Sequence, residues 1–157
     1  MKSKDISLAA VFAAMYASLV YLFAPISFSA LQFRVAGILR PAIAKKWTLA
    51  IGYAVGVFVG NIFSPYVGFH ELVFMPLMSL IAGLCGYAAG LRFDKSYFVT
   101  GFVIATIISA SVSWMLDQLL GLPMWATMPY LFASEQIVCL TGAVFFRLID
   151  KRFRWWQ

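Results

Sequence analysis

The acidic residues that fall inside apolar segments are the first places where this chain offers chemistry. Glu135 stands in "SEQIV", flanked by Ser134 and Gln136 in an otherwise apolar run, and His70 and Glu71 are adjacent in "HELVF". An ionisable side chain at membrane depth is costly unless it is paired or faces water, so it marks a site by default. Gln32 and Arg34 follow the first loop, and Asn61 closes an apolar run ahead of "IFSP". Together these groups supply acceptors, donors and one imidazole, which suits gripping a small polar molecule. Each also has a plainer reading: Glu135 in an ion pair with Arg34, Asn61 as a helix cap, and His70 as a hydrogen-bonded structural residue. Trp114, Trp125, Tyr66 and Tyr130 fall in the same region, where they suit either an aromatic enclosure for a flat ring or a belt at the membrane interface.

Several chemistries are missing from the sequence. No Gly-rich loop ends in Gly-Lys-Ser or Gly-Lys-Thr, and neither a His-Glu-x-x-His pair nor a nucleophile elbow is present. Cys85 and Cys139 lie in separate apolar segments far from the only His, which supports neither a disulfide framework nor a zinc site. His70, Glu71 and Glu135 lack a nucleophile or metal partner, so no enzyme, metal or cofactor is expected. Uphill transport would need energy from partner subunits or an ion gradient.

The elements that position these residues follow from composition. Of 157 residues, 63% are hydrophobic and 11% charged, against roughly 25% charged in soluble domains. Uncharged runs approach the roughly 20 residues needed to cross about 30 Å of hydrocarbon. The expected fold is therefore an all-α membrane protein, one domain over residues 1–157, with six spans. These run over about Ile6–Ala24, Leu31–Ala44, Trp47–Phe63, Leu72–Leu91, Tyr97–Leu116 and Pro129–Asp150. The second is short and interrupted by Arg34, Arg40 and Pro41, and Pro76 is expected to bend the fourth. The N-terminal apolar run lacks a convincing cleavage region before Pro25 and is read as a span rather than a signal peptide.

Six spans put both termini on one side. Lys2, Lys4, Arg40, Lys45, Lys46, Arg92, Lys95, Arg147, Lys151, Arg152 and Arg154 then share that side, leaving Arg34 alone on the other. By the positive-inside rule both ends are cytoplasmic, in the plasma membrane. Cations spaced between apolar runs do not form the single wetted face of a nucleic-acid binder. Ala9, Ala13 and Ala17 make a flat stripe on the first helix, open either to packing within the bundle or to docking on another protein. Gly52, Gly56 and Gly60 repeat the spacing on the third, where internal packing is the stronger reading.

The segments "APISFSALQFRV", "GNIFSP", "HELVFMPLMSL" and "SEQIV" resemble the queuosine-precursor transporter family, over most of the chain. That family comprises substrate-binding S components of energy-coupling factor (ECF) transporters. The resemblance implies six helices, cytoplasmic termini and a ligand site opening outward beneath the loops. It also implies partners: a scaffold transmembrane subunit and two cytoplasmic ATPases, with the Ala9, Ala13, Ala17 stripe meeting the scaffold. Met75 and Ser79 stand where Gly and Thr are expected, and Ser134 where Gly is expected, which bears on the substrate more than on the class. A 7-deazaguanine suits the residue types. Its ring N–H and exocyclic amine are adjacent donors for one carboxylate, from Glu135 or Glu71, and its carbonyl calls for Asn61, Gln32 or Arg34. His70 and Trp114 complete the candidate set. The rival readings are an S component for riboflavin, thiamine, folate or pantothenate, a free-standing ion-coupled carrier, and a structural membrane protein.

Overall fold

The computed structural model describes residues 3–28, 33–153 and 155–156. Gln32 lies outside the described residues. All regular structure among them is helical. Helix α1 is Ser3–Leu22, followed by a single helical turn at Ala24–Ser27. Helix α2 is Val35–Ala44, α3 Thr48–Asn61, α4 His70–Leu91, α5 Tyr97–Leu120 and α6 Met124–Asp150.

Helices α1, α4, α5 and α6 are long and apolar enough to cross a membrane, with 20, 22, 24 and 27 residues. Helices α2 and α3 are shorter, at 10 and 14 residues. At 1.5 Å per residue α3 reaches about 21 Å. The molecule is thus a membrane helical bundle with four candidate spans and two short apolar helices. Large apolar side chains are exposed on its outside, among them Val11, Met15, Phe58, Leu77, Phe102 and Phe145. This is the inverse of a water-soluble surface and fits a lipid surround.

The short second helix holds the centre. Helix α2 packs against α1, α3, α4, α5 and α6, while the outer neighbours run α1 to α3, α3 to α4, α4 to α5 and α5 to α6. Its turns are 3₁₀, longer than such helices usually run. Pro41 lies inside it and has no N–H to donate, which disfavours a regular α-helical ladder at this point. All of Ala36, Gly37, Leu39, Arg40, Pro41, Ala42, Ile43 and Ala44 are buried.

Proline also shapes two outer helices. Pro76 gives no N–H to the carbonyl of Leu72, and the turn before it, His70–Phe74, widens into a π-helix that turns Glu71 into the core. Pro129 was expected in the first turn of the last helix, but that helix begins at Met124 and carries Pro129 in its interior. In lipid an interrupted backbone ladder still favours helix, because no water competes for the remaining groups. Helix α5 is punctuated more simply: Ser96 accepts from the Val99 N–H at its start, and Gly121, at φ +64°, ends it.

The glycine stripe of α3 packs as the sequence suggests. A side chain on Gly52 would strike the Ala9 carbonyl, one on Gly56 would strike Ala13 and Tyr16, and one on Gly60 would strike Val20. Helices α1 and α3 therefore touch backbone to backbone, the approach that small residues permit in membranes.

Candidate functional site

Two polar layers lie inside this apolar bundle. The central one joins α2 to α6. Arg40, fully buried, pairs with Glu135 through both its terminal nitrogens, and its Nη2 also donates to the Tyr16 hydroxyl at 3.2 Å. The guanidinium carbon sits 5.4 Å from the centre of the Tyr53 ring, and the Tyr16 and Tyr53 rings meet edge to face at 5.1 Å. Cation, anion and aromatic faces compensate one another here, as burial of charge requires.

This corrects three expectations. The partner of Glu135 is Arg40 rather than Arg34. Arg40 is a core residue rather than a loop cation on the basic side. Because α6 starts at Met124 rather than at the expected Pro129, Glu135 lies eleven residues into it rather than about six, about 17 Å from that end, and so near mid-bundle rather than near the outer mouth that the later start would give it.

The second layer gathers where α1 ends, α2 begins, α3 ends and α4 begins. Glu71 is wholly buried, and among the described residues no hydrogen bond closes on either of its carboxylate oxygens, the Ser64 hydroxyl being the nearest donor. The Asn61 side chain donates to the Glu71 backbone carbonyl at 2.9 Å, leaving its own Oδ1 buried and unpartnered. Arg34 and Ser64 are the groups whose electrostatics reach the Glu71 carboxyl. Arg34 is 4% exposed, has an unpartnered Nη2 and lies 5.7 Å from the centre of the Phe28 ring. The Ser27 hydroxyl is buried and unpartnered as well. In a native fold most buried polar atoms are satisfied, so a cluster of exceptions calls for a reason.

An aromatic wall adjoins this layer. His70, half-buried next to Glu71, packs 5.9 Å from Trp114, which in turn lies 4.8 Å from Phe74. The other aromatics do not close a box: Trp125 is 80% exposed, Tyr66 is exposed and Tyr130 is half-buried. Among the sequence candidates, then, Glu71, Asn61, Arg34, His70 and Trp114 share one end of the bundle, and Glu135 belongs to the central layer.

Ala9 and Ala13 are buried against α3, and Ala17 is half-buried. Their flat face is used up by the glycines opposite. The small residues that α1 leaves exposed include Ala10, Ala14 and Ser18, one helical step around. Sequence reasoning missed Arg40, Tyr16 and Tyr53 as a unit. The available signal was an arginine followed by proline within a short apolar run. Among the described residues no three His, Cys, Asp or Glu come together as metal ligands.

Searches of curated proteins and of solved structures find no match. A family model described as QueT transporter matches residues 6–151, from the first turn of α1 to just past the end of α6. With nearly the whole length matched, and with buried polar groups set in a lipid-facing bundle, the chain belongs to the QueT transporter family and is a transporter rather than an enzyme.

Proposed function

We propose that this protein is the substrate-binding S subunit of an ECF-type transporter and that it captures a 7-deazaguanine queuosine precursor. The observation that carries this reading is the cluster of unpartnered buried groups at Glu71, Asn61 and Arg34. They match the ligand in kind. Glu71 accepts from the ring N–H and the exocyclic amine, Arg34 donates to the ring carbonyl, and Asn61 Oδ1 accepts from the five-membered ring N–H. Trp114 and His70 cover a ring face, and Gln32 is a further donor from the first loop. Glu135 serves the site through Arg40, by fixing α2, whose first residue follows Arg34.

In this reading α2 and α3 complete six crossings, both termini are cytoplasmic in the plasma membrane, and the ligand enters from outside. A scaffold subunit and two cytoplasmic ATPases supply the driving force. Docking on the scaffold uses the exposed Ala10, Ala14 and Ser18, with Ala17 at the edge, since Ala9 and Ala13 face α3.

The test is a titration of the purified protein with the aminomethyl 7-deazaguanine precursor, followed by calorimetry. Saturable binding that Glu71→Gln weakens and a flavin or thiamine does not compete for supports the assignment. Unchanged affinity in Glu71→Gln and Arg34→Gln overturns it. Equal uptake in cells with and without the ATPases would instead favour a free-standing carrier.

A further inference from the structure

The turn that carries Glu71 into the core is held from outside its own helix. In a regular α-ladder Met75 would donate its N–H to the Glu71 carbonyl, and Pro76, which has no N–H, would leave the Leu72 carbonyl short. Here Met75 donates to the His70 carbonyl instead, one residue further back. The Glu71 carbonyl thus loses its usual donor, and on the wider spacing the next residue is Pro76, which has none to give. Within α4 neither spacing serves it. The donor comes from the end of α3, where Asn61 Nδ2 reaches the Glu71 carbonyl at 2.9 Å.

The surroundings give this bond its weight. Asn61 and Glu71 are both fully buried, so water does not replace the bond when it is lost, and a buried carbonyl without a donor is costly. A carbonyl partner also fixes the Asn61 amide one way round, with its nitrogen on Glu71 and its Oδ1 left over. Pro76 has a different setting: its ring lines an outer apolar hollow with Ala54, Val55, Phe58 and Leu77.

We infer that Asn61 is a positioning residue for Glu71: its side-chain N–H stands in for the one that Pro76 lacks, and so holds the widened turn that aims the Glu71 carboxylate inward. Successive residues of an α-helix are about 100° apart. Closing the turn to regular spacing therefore swings the chain ahead of it by about that angle and carries the carboxylate off the buried face. The inference rests on Glu71 being the ligand's acceptor and adds what keeps it in place.

The experiment removes the shortage rather than the contact. Pro76→Ala restores an N–H, lets α4 run as a regular α-helix and releases Asn61. Asn61 is the sole asparagine of the sequence, so asparagine labelled at its side-chain nitrogen gives a single amide pair in NMR spectra of the full chain in detergent. One proton of that pair is expected downfield in the wild type, as a donor to a carbonyl, and to return upfield in Pro76→Ala. Titrated with the aminomethyl 7-deazaguanine, Pro76→Ala binds about tenfold or more weakly, the loss that follows when hydrogen bonds to a charged group go, while its melting temperature does not fall. Asn61→Leu lowers the melting temperature of the wild type but not that of Pro76→Ala, where the helix serves the carbonyl itself. A lower melting temperature in Pro76→Ala, equal losses from Asn61→Leu in both backgrounds, or an Asn61 proton that stays downfield in Pro76→Ala overturns the replacement of one donor by the other. Unchanged affinity in Pro76→Ala, where Glu71→Gln weakens binding, overturns the positioning. Unchanged affinity in Glu71→Gln overturns instead the reading of Glu71 as acceptor, and the melting and NMR results then decide the bond on their own.

Discussion

The Arg40 guanidinium and the Glu135 carboxylate close on each other in the middle of the bundle, with the arginine fully buried and the glutamate 4% exposed. The contact ties α2 to α6, and Tyr16 brings in α1.

Breaking this pair from one side strands a charge. Glu135→Leu or Arg40→Met alone is expected to destabilise the protein by about 3–5 kcal/mol, whereas the double replacement recovers most of that loss. Thermal unfolding in detergent, run as a double-mutant cycle, measures it. Additive losses would show that the two side chains do not act as a pair.

Glu71 should behave in the opposite way. Among the described residues no hydrogen bond closes on its buried carboxylate, which has only the Arg34 charge and the Ser64 hydroxyl near it, so Glu71→Gln leaves the fold unchanged or firmer, because a buried charge compensated this weakly is a cost. In the proposed site, ligand affinity falls by about 1.5–3 kcal/mol, the worth of hydrogen bonds to a charged group. Calorimetry of melting and of binding on the same variant separates the two effects.

Helix α1 sets a packing face beside the proposed docking face within adjacent residues. Ala13→Leu drives a side chain toward Gly56 and costs about 1–3 kcal/mol by overpacking. Under the proposed docking on a scaffold subunit, Ala14→Leu, on the exposed face, leaves melting and ligand binding as they are and abolishes uptake. Uptake that survives Ala14→Leu would remove the exposed stripe from the docking surface.

Gly121 gives a backbone test free of packing. It ends α5 at φ +64° with no atom within 4 Å of where a side chain would begin. Gly121→Ala therefore costs about 1 kcal/mol through the left-handed conformation alone, and Gly121→Asn costs less. The melting temperatures of the two variants report the difference.

The helical, lipid-embedded class was legible because it rests on apolar run length, and α1, α4 and α5 begin or end within a few residues of their expected bounds. The Gly52, Gly56, Gly60 contact was legible because spacing alone decides how closely two backbones approach. Helix α6 was expected to start later, since Pro129 reads as a first-turn residue in water-based rules, whereas an apolar surround keeps the helix going through it. That error displaced Glu135 toward the mouth. The Arg40 partnership was hidden for a different reason: its members are 95 positions apart, and only the packing of α2 at the centre brings them together. Of the candidate site, the types and rough depth of Glu71, Asn61 and Arg34 could be read. Their shared lack of partners could not, because it is a property of three dimensions.

The central place of α2 also governs how the chain is made. Arg40 leaves the ribosome long before Glu135, so during synthesis it must wait in or beside the bilayer with its counter-charge not yet born. An arginine at mid-membrane opposes insertion by roughly 2.5–3.5 kcal/mol. A truncated product that stops short of α6 keeps that burden permanently, and completion of the last helix, which brings Glu135, relieves it.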